Sequence, residues 1–149
     1  MQQSQVTSAE DSVVNLLVTA GRLTRLAGVI SGDDLPRAVL RALAVLDEHG
    51  AMRVSEFARI DRCSQPAATA LIGRLVADGY ASRRKDPDDF RAVVVELTPA
   101  GRDRLHHARR AFGTALATRL SEFDTDRLAR METDLNELLD ALKKAAPQH

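Results

Sequence analysis

The chain has 149 residues, of which 44% are hydrophobic and 28% charged, and 21 basic residues balance 21 acidic ones. This length is typical of one domain with a real core, and the composition excludes a disordered tail or a low-complexity linker. The N-terminus does not resemble a signal peptide, no apolar run approaches the roughly 18 residues of a membrane span, and the single cysteine excludes an internal disulfide and a cysteine-based zinc site. We therefore expect a reduced, soluble, cytoplasmic protein.

The N-terminal part of the chain predicts two amphipathic helices. Apolar residues recur at three- and four-residue steps through 12–30, which predicts the first helix. Its apolar stripe consists of Val13, Leu16, Leu17, Ala20, Leu23, Leu26, Ala27 and Ile30. A second helix begins near Pro36, which suits a first helical turn, and ends at Gly50.

A short helix and a longer one follow, on either side of a tight connector. Residues 54–60 have room for two helical turns, and 61–63 form the connector. Ser64 is a natural N-cap for the longer helix, 64–78, and Gly79 ends it.

The pattern of residues then changes from helical to strand-like. Residues 80–85 and 92–97 favour pleated strands, and the second of them contains three consecutive valines. A turn-rich tip, 86–91, lies between them. We therefore expect a β-hairpin, and no other β structure.

The C-terminal part predicts two further helices. Thr98 and Pro99 cap a helix that reaches about Ser121, and the last helix starts at Asp124 and stops before Pro147. Alternating steps of three and four residues give the last helix a coiled-coil-like seam. The seam consists of Leu128, Met131, Leu135, Leu138 and Leu142.

The order of these elements is that of a winged helix-turn-helix, mainly α with a small β-hairpin wing. Residues 53–110 carry 12 Lys/Arg and 8 Asp/Glu, whereas the rest carries 9 and 13, so the neutral chain has a basic middle. An α-helix fits the major groove of B-DNA, and helix 64–78 is the candidate reader. Its outward residues are Ser64, Gln65, Ala67, Thr69 and Arg74, whose polar members can bond to bases or phosphates.

The middle of the chain resembles the DNA-binding lobe of the MarR family of bacterial transcriptional regulators. The matching segments are 64–69 (SQPAAT), 74–80 (RLVADGY), 86–93 (DPDDFRAV) and 97–102 (LTPAGR). The wing followed by Leu-Thr-Pro-Ala-Gly is the specific part of this match. Because the flanking helices also have the expected order and length, the resemblance covers nearly the whole chain.

The resemblance implies one domain with a winged helix-turn-helix at about 36–98 and dimerisation helices at about 10–31 and 99–146. It implies a homodimer that binds a pseudo-palindromic operator and represses a nearby promoter, in a bacterial or archaeal cytoplasm. In the family, a small molecule, often a phenolic or aromatic acid, or an oxidant typically relieves repression. The leucine seam of the last helix fits such a dimer, but it could also pack within one chain.

Family residues that contact DNA are carried over position by position. Thr69 and Arg74 match contacts on the reading helix, Arg91 matches the arginine that enters the minor groove, and Asp89 matches its usual holding partner. The candidate DNA-binding residues are Ser64, Gln65, Pro66, Ala67, Thr69, Arg74, Arg84, Lys85 and Arg91. Two departures, Ala70 and Phe90, replace basic residues that many members carry, so the affinity or the operator can differ.

Two features of the wing have alternative interpretations. Arg83, Arg84 and Lys85 either contact phosphates or form a solvated strand, and their position beside the wing favours contact. Phe90 either folds back onto the wing or stays exposed and wedges against a sugar or a base step, and we expect it to pack.

The cysteine and the histidines predict no redox or metal chemistry. Cys63 lies in the helix-turn-helix, whereas oxidant-sensing members of the family use a cysteine near the N-terminal helix, so a small buried hydrophobe is expected. His106 and His107 project about 100° apart on a helix, and His49 and His149 add no ligand spacing.

Three classes of function are compared. A dimeric, ligand-responsive DNA-binding regulator accounts for both the motifs and the element order. A winged-helix module that binds protein instead of DNA would fit the zero net charge, Ala70 and Phe90. An enzyme is disfavoured, because the sequence has no phosphate-binding glycine loop and no nucleophile motif, and no cofactor is expected.

Overall fold

The computed structural model describes residues 8–146, in which six helices and three strands follow one another. These are α1 (Ala9–Ser31), α2 (Arg37–His49), β1 (Met52–Arg53), α3 (Val54–Asp61), α4 (Gln65–Ala77), β2 (Ala81–Lys85), β3 (Val93–Leu97), α5 (Pro99–Ala117) and α6 (Thr125–Ala145). The chain forms two compact units, one up to Ala115 and one from Leu116 onward. The expectations for Pro147 and His149 lie outside the described residues.

The predicted fold class, mainly α with a small β wing, is confirmed, and local sequence signals set several boundaries. The Ser64 hydroxyl accepts the backbone N–H of Ala67 at 3.2 Å and caps α4. Gly79 takes a φ of 76° between α4 and β2, a conformation that side chains disfavour. The helix predicted to reach about residue 121 ends at Ala117.

The sheet has three antiparallel strands in the order β1-β3-β2. The expectation that the hairpin is the only β structure is therefore wrong. Strand β1 contains two residues, pairs Met52 with Val95 and Arg53 with Val94, and buries the Met52 side chain. A strand of two residues is too short to show an alternation of apolar and polar side chains, so only its pairing with β3 reveals it.

The core lies in the first unit and joins α2, α3, α4, the sheet and α5. Its fully buried large side chains are Phe57, Leu43, Leu46, Ile72, Leu75, Leu105, Val39 and Val95. Each such side chain contributes about 1.5–3 kcal/mol through removal from water. This core fixes the orientation of α4 and of the wing, which carry the candidate DNA-binding residues.

Helix α5 begins with a close contact against the wing. The Thr98 hydroxyl donates to the carbonyl of Gly79 at 2.6 Å and accepts the N–H of Gly101 at 3.1 Å. A Cβ on Gly101 would lie 2.1 Å from the carbonyl oxygen of Tyr80, so glycine is required at this crossing. The predicted Thr98 cap thus also ties α5 to the end of α4.

Helices α1 and α6 each expose apolar side chains. No residue of α1 is buried, and Leu23 and Val29 are 63% and 79% exposed. On α6, the seam residues Leu128, Met131, Leu135 and Leu142 are also exposed. The stripe of α1 is therefore not core of the single chain.

From the sequence we expected no apolar segment long enough to span a membrane, and by length and composition this expectation is wrong. Helix α1 is long and apolar enough to pass that test. One such helix near an N-terminus is weak evidence, because the buried core helix of a soluble protein and a signal sequence pass the same test.

Candidate nucleic-acid interface

The turn between α3 and α4 is fixed by a buried carboxylate. The side chain of Asp61 is 1% exposed, and its Oδ2 accepts a hydrogen bond from Arg41 Nη2 at 3.0 Å. The next residue, Arg62, takes the left-handed conformation with a φ of 53°. Because Arg41 belongs to α2, this ion pair anchors the start of α4 to the core.

The predicted reading residues at the start of α4 all face solvent. This exposed set consists of Ser64, Gln65, Pro66, Ala67 and Thr69. The Thr69 hydroxyl donates to the carbonyl of Gln65 at 2.9 Å and keeps its lone pairs for an outside donor. Arg74 is exposed one to two turns later, with its Nε 3.8 Å from a carboxylate oxygen of Asp78. This face can present hydrogen-bonding groups to a groove.

The basic run of the wing lies on strand β2. Arg83, Arg84 and Lys85 are all exposed. Arg84 Nε lies 3.0 Å from Glu96 Oε1 on β3, which compensates part of the positive charge. The Arg83 guanidinium reaches α4, with its Nη2 3.9 Å from the position of a Cβ on Gly73. Contact of this run with phosphate stays a prediction.

The wing tip is held together by Arg53, which sequence reasoning missed. Its Nε and Nη2 donate to Asp86 Oδ2 at 3.1 and 2.9 Å, and Nη2 also reaches Asp89 Oδ2 at 3.4 Å. The other Asp86 oxygen accepts the N–H of Asp88 at 2.9 Å. That backbone bond, followed by the bond from Arg53, lowers the pKa of Asp86, so the carboxylate stays charged.

The family resemblance makes Asp89 the partner that holds Arg91, and in the structure Asp89 bonds to the backbone of Arg91. Its Oδ1 accepts the backbone N–H of Arg91 at 3.1 Å, and its side-chain partner is Arg53. Arg91 itself is exposed. The carboxylate therefore fixes the backbone from which the arginine projects.

Phe90 is 77% exposed at the wing tip. The expectation that it packs back onto the wing is wrong. The two neighbouring residues, Asp89 and Arg91, are joined by the bond across the tip, which orders the backbone on both sides of Phe90.

Cys63 was expected to be a small buried hydrophobe, and the structure covers it only in part. It is half-buried and packs against the core cluster. Burial and then the neighbouring Asp61 raise the pKa of its thiol, which disfavours the reactive thiolate. Within residues 8–146, His, Cys, Asp and Glu form no group of three that could hold a metal ion.

A cavity of about 530 Å³ lies in the first unit, between α1, α2 and α5. Its lining consists of Thr24, Gly28, Ser31, Asp33, Leu35, Arg37, Leu40, Arg41, Ala44 and Phe112. Arg41 thus contacts both the cavity and the turn before α4. Two charged residues of the wall already have ion partners, since Arg41 binds Asp61 and Asp33 binds Arg104.

Comparison with known proteins gives a consistent result. A family model described as "MarR family" matches residues 35–93. The Mycobacterium leprae protein named uncharacterized HTH-type transcriptional regulator ML2140 is 34% identical over 104 residues, which are 68% of this chain and 73% of that one.

Solved structures share the same fold. The crystal structure titled RV1404 from Mycobacterium tuberculosis aligns with a TM-score of 0.71 and 21% identity, over 95% of this chain and 97% of that one. Wild-type MarR in its apo form from E. coli aligns with a TM-score of 0.61 and 24% identity, over 80% and 95%.

Proposed function

The chain belongs to the MarR family of DNA-binding transcriptional regulators, which are not enzymes, and we propose that it is a cytoplasmic, homodimeric repressor released from its operator by a small molecule. The observation that carries this proposal is the exposed N-terminal face of α4 beside a rigid wing. Each repressor half would place α4 in a major groove and Arg91 in the adjacent minor groove. The centres of the two half-sites would lie about 10 bp apart, or a multiple of that.

The proposed dimer is supported by the uncovered faces of α1 and α6. Both helices expose leucines at helical spacing, and contiguous apolar surface of this kind marks protein–protein contact. The helices at about 10–31 and 99–146 would form the dimerisation region around the winged helix-turn-helix at about 36–98. This arrangement would make one domain of the whole chain.

The proposed inducer site is the cavity beside α2. Leu40 and Phe112 give its wall apolar area, and Arg37 brings a guanidinium that suits a carboxylate. A small aromatic or phenolic acid meets both requirements. Its binding would act on α4 because the cavity shares Arg41 with the turn before that helix.

A DNA titration tests the function. Labelled DNA from upstream of the protein's own gene is compared with scrambled DNA at about 150 mM salt, where non-specific binding is weak. Tight binding to the upstream DNA alone is expected. If the upstream DNA binds no more tightly than scrambled DNA, fragments recovered from a genome-wide pull-down are titrated in the same way. Binding of those fragments that is also as weak as that of scrambled DNA would contradict the proposal and favour a protein-binding winged helix.

Variants in the same titration separate the roles of the residues. Arg91→Ala should weaken binding to every sequence and flatten the salt dependence, because it removes a charge at the DNA surface. Gln65→Ala or Thr69→Ala should cost about 1–3 kcal/mol at particular base pairs. An equal loss on all sequences would make those two residues phosphate contacts.

Release by the inducer is tested by adding small aromatic acids to the preformed complex. We expect an active acid to lose its effect on Arg37→Ala, while that variant still binds DNA. Release that is unchanged in Arg37→Ala would place the site elsewhere.

A further inference from the structure

Phe90 combines an exposed aromatic ring with a rigid support. Single exposed apolar residues are common on protein surfaces, so 77% exposure alone carries no function. Around Phe90, however, three consecutive bonds hold the backbone. Asp86 accepts the N–H of Asp88 at 2.9 Å, Asp89 accepts that of Arg91 at 3.1 Å, and the Asp89 carbonyl accepts that of Ala92 at 2.9 Å.

These bonds hold the backbone from which the ring projects. The Asp89 carboxylate that accepts the N–H of Arg91 also pairs with Arg53, which ties the tip to strand β1. The ring is therefore exposed on an ordered tip before any partner arrives. Such preorganisation lowers the entropic cost of an apolar contact on binding.

The charges of the wing tip indicate what that contact is. Three carboxylates, Asp86, Asp88 and Asp89, stand against three cations, Arg53, Lys85 and Arg91, so the tip is formally neutral. Arg53 and backbone N–H groups engage Asp86 and Asp89, while Lys85 and Arg91 remain exposed. Because the three carboxylates offset the positive charge of the tip, a contact that does not depend on charge can add to the one that Arg91 makes.

We propose that Phe90 enters the minor groove beside Arg91 and packs its ring against the sugars and a base step there. This inference rests on the proposed DNA-binding function. Apolar side chains inserted in this way partly unstack a step and bend the duplex. Flexible pyrimidine–purine steps unstack most easily, so Phe90 gives the wing a sequence preference without hydrogen bonds to bases.

The test uses the full-length chain and a duplex that it selects from a random library, so that no operator needs to be known. Phe90→Ala should lower the affinity about tenfold, the order expected for one base–aromatic contact, with an unchanged salt slope. Phe90→Leu should retain most of the affinity. Two controls are Val93→Ala, an exposed apolar residue on the wing strand that should have no effect, and Arg91→Ala, which should change the slope.

A second readout locates the ring. 2-Aminopurine at the step nearest the wing should brighten when the wild-type protein binds, because unstacking relieves its quenching, and Phe90→Ala should abolish this signal. Thermal unfolding should be the same for Phe90→Ala as for the wild type, since the ring is exposed.

The outcomes separate the two levels of the argument. If the wild-type chain selects no duplex above background, the proposed DNA-binding function fails, and the inference fails with it. If the chain selects a duplex and Phe90→Ala retains both the affinity and the 2-aminopurine signal, only the role of Phe90 is overturned.

Discussion

Two neighbouring aspartates in the segment between α1 and α2 allow a direct test of how burial changes the value of an ion pair. Arg104 on α5 donates from Nη2 to Asp33 Oδ1 at 2.8 Å and to Asp34 Oδ1 at 2.9 Å. The two contacts have nearly the same length. The side chain of Asp33 is 7% exposed and that of Asp34 is 97% exposed.

The structure predicts unequal effects of removing the two carboxylates. Asp33→Ala removes both bonds to Arg104, which is itself 17% exposed, and the bond from the N–H of Leu35 at 2.8 Å. We expect a loss of about 1–3 kcal/mol in the free energy of unfolding, because partly buried donors lose their acceptor. Asp34→Ala should change it by no more than about 0.5 kcal/mol.

The same pair predicts a pH dependence. The hydrogen bond from Arg104 is the main reason why the pKa of Asp33 lies below its ordinary value. The folded state therefore binds the proton less readily than the unfolded chain, whose pKa is about 3.9. The contribution of Asp33 is complete above that pH and is lost as the pH falls through the lower, folded pKa. The gap between wild type and Asp33→Ala should narrow in that range.

Chemical unfolding at one fixed protein concentration measures both effects, since a dimer unfolds in a concentration-dependent way. A loss of about 2 kcal/mol corresponds to roughly 4–8 °C in the melting temperature for a chain of this size. Equal losses for Asp33→Ala and Asp34→Ala would refute the reasoning from burial. A gap between wild type and Asp33→Ala that stays constant down to the lowest accessible pH would refute the linkage.

Three further predictions concern the scaffold and the wing. Gly101→Ala should destabilise the chain by more than about 2 kcal/mol, because its Cβ would meet the Tyr80 carbonyl. Gly73→Ala, whose Cβ would meet only Arg83 Nη2 at an ordinary contact distance of 3.9 Å, should be neutral or stabilising; similar melting curves for both would contradict this. Arg53→Ala should weaken DNA binding, because Asp86 and Asp89 lose the guanidinium that joins them, and unchanged binding would mean that the tip holds its shape without Arg53. Cys63 should react with iodoacetamide at neutral pH more slowly than free glutathione, and peroxide should not release DNA; fast alkylation would reopen the oxidation-sensor hypothesis.

Local signals accounted for most of the helices and both hairpin strands. Ser64 begins a helix because its hydroxyl satisfies a free N–H of the first turn, and this requires only residues three apart. Gly50 and Gly79 end helices by taking positive φ angles. Caps and turns of this kind are encoded within a few residues, so they can be recognised in a single sequence.

The parts that could not be predicted depend on distant residues. Strand β1 exists because β3 supplies its partner, and Arg53 holds the wing because folding brings it to an aspartate 33 positions later in the chain. The sequence did indicate that the tip was rich in turn residues. It could not indicate which cation would neutralise its carboxylates, or that the Phe90 ring would be exposed.

Helices α1 and α6 show a different limit of sequence reasoning. Apolar periodicity predicts that a face must be covered, but it does not say whether the cover comes from the same chain. On α1, Val14, Val18 and Val29 lie outside the predicted stripe and are also exposed, so the helix is apolar around much of its circumference. A helix of that kind is stable in water only when several neighbours surround it. If a second copy supplies them, as proposed, the apolar surface of α1 is covered only in the dimer.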